Sequence, residues 1–334
     1  MRSLKSVRPL DAAIVAVAIA VLLIGGWLGW SVWSQNRSVA QSTPVGRAIS
    51  DLKQQIRKKP SDILLRMQLA QAYTIAGQDN EAVDQYQQIL KIRKNYVDAI
   101  SGLGFIASRQ KDWAEAEEYW RKATKLMSAA PNARMSKQYE TANFYLGTTL
   151  LEQKKYEDAV GSFKEALRVN RSASDTHYLL AHAYKGLDAP DEYRSELELT
   201  LAFDPSLPEA NYDYGVLLLA EGDEPGAAQH FRIAADRAPN RKEPQEALEK
   251  LGPYSKRIAL AQKLKGEDPK KALVEARVAV ALEPKNVDGL LLLAALFEET
   301  GEKTSAADTY RNVLTIDTDN SEATASLKRV TDGK

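Results

Sequence analysis

Three histidines, His177, His182 and His230, are the only imidazoles in the 334-residue chain, and it contains no cysteine. The absence of thiols excludes thiolate nucleophiles, Cys-ligated zinc, iron–sulfur clusters and disulfides. It also suits an oxidising compartment, where a stray thiol is a liability. A zinc pair on one helix needs two histidines four residues apart and a third ligand. His177 and His182 are five apart, share no helical face, and read as surface or groove side chains. Gly102-Leu103-Gly104 lacks the following glycine and the preceding strand of a phosphate-cradling loop. Asp317, Asp319, Asn320 and Glu322 loosely follow a calcium loop, but Glu322 stands where glycine is needed and Lys328 where a bidentate glutamate is needed. Asn36-Arg37-Ser38 and Asn170-Arg171-Ser172 match the glycosylation triplet, which is frequent by chance. No catalytic residues are assigned, and a non-enzymatic chain with no cofactor and no metal is expected. Lys+Arg and Asp+Glu number 45 each. A net charge of zero lacks the basic excess of a nucleic-acid binder.

The elements behind these side chains begin with an apolar run. Ala12 to Val32 carries no charge and only Ser31 as a polar side chain. At ~1.5 Å per residue it spans ~31 Å, enough to cross a hydrocarbon core of ~30 Å. Arg2, Lys5 and Arg8 precede it, and Trp27, Trp30 and Trp33 sit at its far end, where indoles favour the interface. The positive-inside rule then sets residues 1–11 in the cytoplasm, a transmembrane anchor at 12–33, and the rest on the periplasmic side of an inner membrane. A cleaved signal peptide competes through Ser38-Val39-Ala40, but the apolar run exceeds an h-region of about 7–15 residues. Gly25 and Gly29 form a small-xxx-small pair of the kind that packs helices. Residues 34–47 read as a linker. Ile49, Leu52 and Ile56 then give helical spacing over a lead-in helix at 48–62.

From 63 to 330 the chain repeats. Small residues recur at Ala70, Gly104, Gly147, Ala181, Gly215 and Ala294, and at Ala82, Ala116, Ala159, Ala227, Ala272 and Ala306. Within a unit the two positions are twelve apart, and a large side chain follows four later at Tyr86, Trp120, Phe163, Phe231 and Tyr310. Successive units lie 34 residues apart where no insert intervenes. The small residue lets two antiparallel helices approach. Gly77, Gly222 and Gly301 mark the turn between them, and Pro205, Pro239 and Pro284 end the second helix. One hairpin alone leaves an apolar face wet, so stacking must bury it. There are departures. Tyr193 replaces the small residue of the fourth unit, which should splay that hairpin. Leu260 and Ala276 occupy the small and aromatic positions of the unit from Pro253. Inserts fall near 127–139 and 240–252, so a bend or division is expected near 245.

The set Tyr212-Asp-Tyr-Gly-Val-Leu-Leu-Leu219 with Gly222, Ala227, Phe231, Ala234 and Pro239 resembles the tetratricopeptide repeat family, as does Leu146-Gly147 with Tyr156, Ala159, Phe163 and Ala166. The resemblance implies an all-α fold, an α-solenoid of about seven helical hairpins closed by a capping helix at 321–330, which here follows the single N-terminal transmembrane helix read from the apolar run. It further implies that first helices line a concave groove holding a protein or peptide segment. Projected onto this chain, the groove-facing residues are Leu64, Met67, Gln71 and Ile75; Ser101, Phe105 and Arg109; Phe144, Thr148 and Leu151; Tyr178 and His182; Tyr212, Val216 and Leu219; and Leu291, Ala295 and Glu298. Such a groove is apolar and aromatic, without the Lys/Asn pairs with which some family members clamp a terminal carboxylate. The architecture is similar to that of anchored tetratricopeptide factors of cytochrome c maturation and cell-envelope assembly. The expected role is therefore a membrane-tethered scaffold or assembly chaperone for an envelope partner. A structural subunit of a secretion, pilus or respiratory complex is the alternative. Ten acids and a single base, Arg194, between Asp191 and Glu224 suggest an outward face, which either steers a basic partner or is simply solvated.

Overall fold

A computed structural model describes residues 43–129 and 132–332, and every regular element among them is helical. The longest described helices have 16 residues, or ~24 Å, short of the ~30 Å a membrane core demands. None is long and apolar enough to cross a membrane. The expected placement as a single-pass inner-membrane protein with periplasmic repeats therefore does not stand. The expected basic terminus at 1–11, the span at 12–33 and most of the linker at 34–47 lie outside the described residues.

The chain divides into two compact units, residues 1–134 and 135–334. In the first, helix α1 (Pro44–Lys58) starts four residues before the expected position. Thr43 is its N-cap, accepting from Gly46 N–H at 3.0 Å, and Pro44 takes the first turn. The Thr-Pro-Val-Gly stretch is thus a helix start and not a linker. Ile49 is buried, and Leu52 and Ile56 pack beside it on the core of the next hairpin. That hairpin is α2 (Ile63–Ile75) with α3 (Asp79–Ile92), followed by α4 (Val97–Arg109) with α5 (Trp113–Ser128). Each second helix packs on the next first helix, α3 on α4. A short 3-10 turn at Ala133–Met135 lies within the first insert.

The second unit holds three hairpins in succession: α6 (Lys137–Glu152) with α7 (Tyr156–Val169), α8 (Ser174–Gly186) with α9 (Pro190–Phe203), and α10 (Pro208–Ala220) with α11 (Glu224–Arg237). The second insert forms one more helix, α12 (Lys242–Lys250). Two hairpins then follow, α13 (Tyr254–Leu264) with α14 (Pro269–Leu282) and α15 (Val287–Glu299) with α16 (Lys303–Ile316), and α17 (Ser321–Asp332) packs on α16. The described residues thus form seven hairpins. Stacking is regular from α7 to α8 and from α9 to α10. At α12 it changes: α11 packs on α14, a second helix against a second helix.

The repeat's small and aromatic positions meet inside three of the hairpins. A Cβ added at Gly147 would lie 2.7 Å from the Phe163 ring, at Gly215 2.7 Å from Phe231, and at Gly104 2.9 Å from Trp120. The glycines are therefore required by ring contact, not by backbone freedom. The turn does demand left-handed backbone, and it is taken by Gly77, Lys111, Lys154, Asp188, Gly222 and Gly301, all at φ between 55° and 87°. Three departures resolve differently from expectation. Tyr193 does not splay its hairpin; it packs half-buried with Ala181 and Leu197, and a hydrogen bond from His177 to Glu196 ties α8 to α9. In α13 the small position is Ala261, fully buried among Ala272 and Ala276, while Leu260 points outward. Finally, His177 is a core side chain and not a surface one.

Candidate functional site

First helices supply the candidate site because their second faces are taken by the hairpin core. In the first unit, Leu64 and Ile75 of α2 are 65% and 75% exposed, and Gln71 is exposed between them. Met67 is not available: it is 7% exposed and belongs to the core beneath α1. Phe105 and Ser101 are half-buried. The Arg109 guanidinium sits 5.7 Å from the Phe105 ring and reaches back to the α2–α3 turn, pairing with Asp79 and donating to the Thr74 carbonyl.

In the second unit, Phe144 lies edge-on to Tyr145 and Phe163 at 5.5 and 6.4 Å. The Thr148 hydroxyl donates to the Phe144 carbonyl at 2.9 Å, so it serves its own helix. Leu151, Tyr178 and His182 are brought together around a cavity of about 530 Å³, with Tyr156 and Lys185 on its rim. Tyr212 packs against Phe231 at 5.8 Å. Val216 and Leu219, one turn apart on α10, are 44% and 37% exposed. Farther along the chain, Leu291 and Ala295 are half-buried. Glu298 accepts from Tyr310 and Arg329, which fastens α17.

A polar lock joins α8 to α10. Asp213 Oδ2 accepts from the Tyr178 hydroxyl and from His182 Nε2–H, both at 2.9 Å. Burial alone would raise the Asp213 carboxyl; the His182 and Tyr178 hydrogen bonds outweigh it and hold that carboxyl below its ordinary range. Burial, reinforced by the Asp213 carboxylate, pushes the Tyr178 and Tyr193 phenols up. The lock orients Tyr178 and His182 on the cavity wall; the chemistry on offer is hydrogen bonding and aromatic contact. Asp213 was not foreseen as a site residue, although it stands 31 residues after His182, close to one repeat period.

His177, by contrast, is structural. Its Nδ1 meets Glu196 at 2.6 Å and its Nε2 meets the Arg171 carbonyl at 3.0 Å. Both partners are acceptors, so both ring nitrogens must donate, which only the imidazolium does. Burial works against that charge, but the hydrogen bonds to Glu196 and Arg171 prevail, and the His177 pKa is raised. Part of the acidic stretch is paired within the chain. Glu198 and Glu221 pair with Arg194, Glu209 with Arg241, and Glu224 with Arg257, beside the contacts of Glu196 and Asp213. Among the described residues no group of three or more His, Asp or Glu is placed to hold a metal ion.

Helical hairpins in a 34-residue rhythm, with exposed side chains on their first helices, define a repeat protein of the interaction class. Tetratricopeptide repeat models match residues 44–117, 141–192 and 193–242. These segments make up more than half of the chain, and it belongs to the tetratricopeptide repeat family. It is similar to Hsp70-Hsp90 organizing protein 1 of Glycine max, 29% identical over 187 residues, covering 55% of this chain and 29% of that protein. Hsp70-Hsp90 organizing protein 3 of Arabidopsis thaliana is 28% identical over 176 residues, covering 53% and 28%. The chain thus spans under a third of the length of these relatives. Among solved structures, YrrB, described as a TPR protein with an unusual peptide-binding site, has 18% identity and a TM-score of 0.49 over 59% of this chain and 96% of its own.

Proposed function

We propose that this chain is a non-enzymatic scaffold that holds a protein segment on the first helices of its second unit. The observation that carries this reading is the exposed apolar pair Val216 and Leu219 on α10, beside the locked Tyr178–His182 wall and its cavity. Apolar side chains left open next to oriented aromatics fit an extended or helical segment with bulky apolar anchors. The relatives named for organizing Hsp70 and Hsp90 are consistent with a role in holding partners. A second reading, a structural subunit that docks through second helices, is favoured by Leu199 and Phe203 of α9, 38% and 46% exposed.

Photo-crosslinking in cells separates the two. A photoreactive residue is placed at Val216 or Leu219, and controls at Phe203 and at Gly161, an exposed position on α7 with nothing within 4 Å. Glu196 is unsuited as a control because it holds His177. A discrete adduct from Val216 and Leu219 alone supports the scaffold. An adduct from Phe203 alone replaces it with the second reading.

A further inference from the structure

The irregular junction at α12 leaves a second cavity, away from the first-helix face. Within the second unit, α7 is covered by α8 and α9 by α10; here α11 meets α14 instead. Between them and α15 lies a cavity of about 340 Å³. That volume is at the small end of the ~300–1,000 Å³ typical of small-molecule sites. Its floor is hydrocarbon: buried Leu293 and Phe297 of α15, with Ile233 and Val280 on either side. Pro225 and Pro284 also line it and bring no backbone N–H.

Two guanidinium groups and the Gln229 amide are its polar lining. Arg232 is fixed, its Nε donating to the Ala281 carbonyl and its Nη2 to the Leu282 carbonyl, both at 2.7 Å, so it satisfies the open end of α14. Arg277 is exposed and makes no hydrogen bond, ion pair or ring contact with any described residue. A partnerless guanidinium beside an apolar cavity calls for a planar anion with a hydrocarbon body, and a carboxylate matches its paired donors.

We propose that this cavity binds a small apolar carboxylate, with its hydrocarbon among Ile233, Val280, Leu293 and Phe297 and its head group on Arg277. The lining comes from α11, α14 and α15 and includes no residue of α10, so the assignment stands independently of partner binding at α10. The test is a titration of the full chain with decanoate below its micelle concentration, followed by methyl NMR. Saturable shifts at Ile233, Val280 and Leu293, with Val216 and Leu219 unmoved, are expected. Arg277→Gln should weaken decanoate about tenfold or more while leaving decanol unchanged, since a charge-assisted pair is lost. Because Arg277 touches nothing else, that variant should keep the wild-type methyl spectrum. Val280→Trp should abolish binding by filling the space. Decanoate shifts spread evenly over exposed methyls, or an Arg277→Gln variant that binds decanoate as well as the wild type, would overturn the proposal. So would a peptide with a free leucine carboxylate that binds here more tightly than decanoate, because the site would then belong to a chain terminus.

Discussion

Two glycines in one hairpin should respond oppositely to the same substitution. Gly161 sits on the exposed side of α7 with nothing within 4 Å of an added Cβ, whereas Gly147 on α6 faces the fully buried Phe163 ring at 2.7 Å. Gly161→Ala gains helix propensity alone, about 1 kcal/mol. Gly147→Ala gains the same amount but forces a methyl into a packed core, which costs about 1–3 kcal/mol. The propensity gain cancels when the two variants are compared, so Gly147→Ala should fall below Gly161→Ala by the steric cost alone, about 1–3 kcal/mol. Urea midpoints at constant slope measure the gap, and amide exchange in α7 localises it. Phe163→Leu should relieve the clash, so the double variant with Gly147→Ala should show a coupling of roughly 0.5–3 kcal/mol. If Gly147→Ala stabilises as much as Gly161→Ala, ring contact is not why this position is small, and the account of the repeat fails.

Other outcomes follow from named contacts. His177 has a raised pKa, so its contribution to stability is present below the ordinary value of about 6.5 and lost as pH rises through the folded value; the urea midpoint should fall across that window, and His177→Gln should flatten the profile. Asp213→Ala strips the acceptor from Tyr178 and His182 and should cost about 1–3 kcal/mol, with Asp213→Asn losing less; equal losses by denaturation would remove the lock from the site. Lys154 holds φ of 60° in its turn, so Lys154→Gly should stabilise by up to about 1 kcal/mol in the same assay.

The hairpins were legible because each uses the same few contacts. Small residue, aromatic and turn recur at fixed offsets, and the ring contacts at Gly104, Gly147 and Gly215 are what fix them. Where the contact is made by other means, the pattern fades. Lys111, Lys154 and Asp188 take the turn conformation without glycine, and Ala261 fills the small position one residue from its expected place. The site was less legible. The family resemblance, projected onto this chain, put Met67 on the groove face, but α1 covers it, and no property of Met67 itself records that cover. The acidic stretch looked unpaired because two of its counter-charges, Arg241 and Arg257, come from outside it in sequence. The α12 junction, and the cavity it leaves, follow from which helix packs on α11; composition is silent on that choice.

The same junction works as a ruler. Upstream of it, α6, α8 and α10 present neighbouring first helices, and packed helices stand ~8–10 Å apart. Three of them, two spacings apart, offer a track of about 16–20 Å, which an extended chain at ~3.3–3.6 Å per residue covers in roughly five or six residues. Beyond α11 the alternation of first and second helices is broken, so the footprint cannot be lengthened by one more helix of the same kind. An accommodated segment would then be selected by length as well as by side chain, and inserting one further 34-residue hairpin ahead of α12 would move the stop while replacing the contacts α11 now makes with α12 and α14.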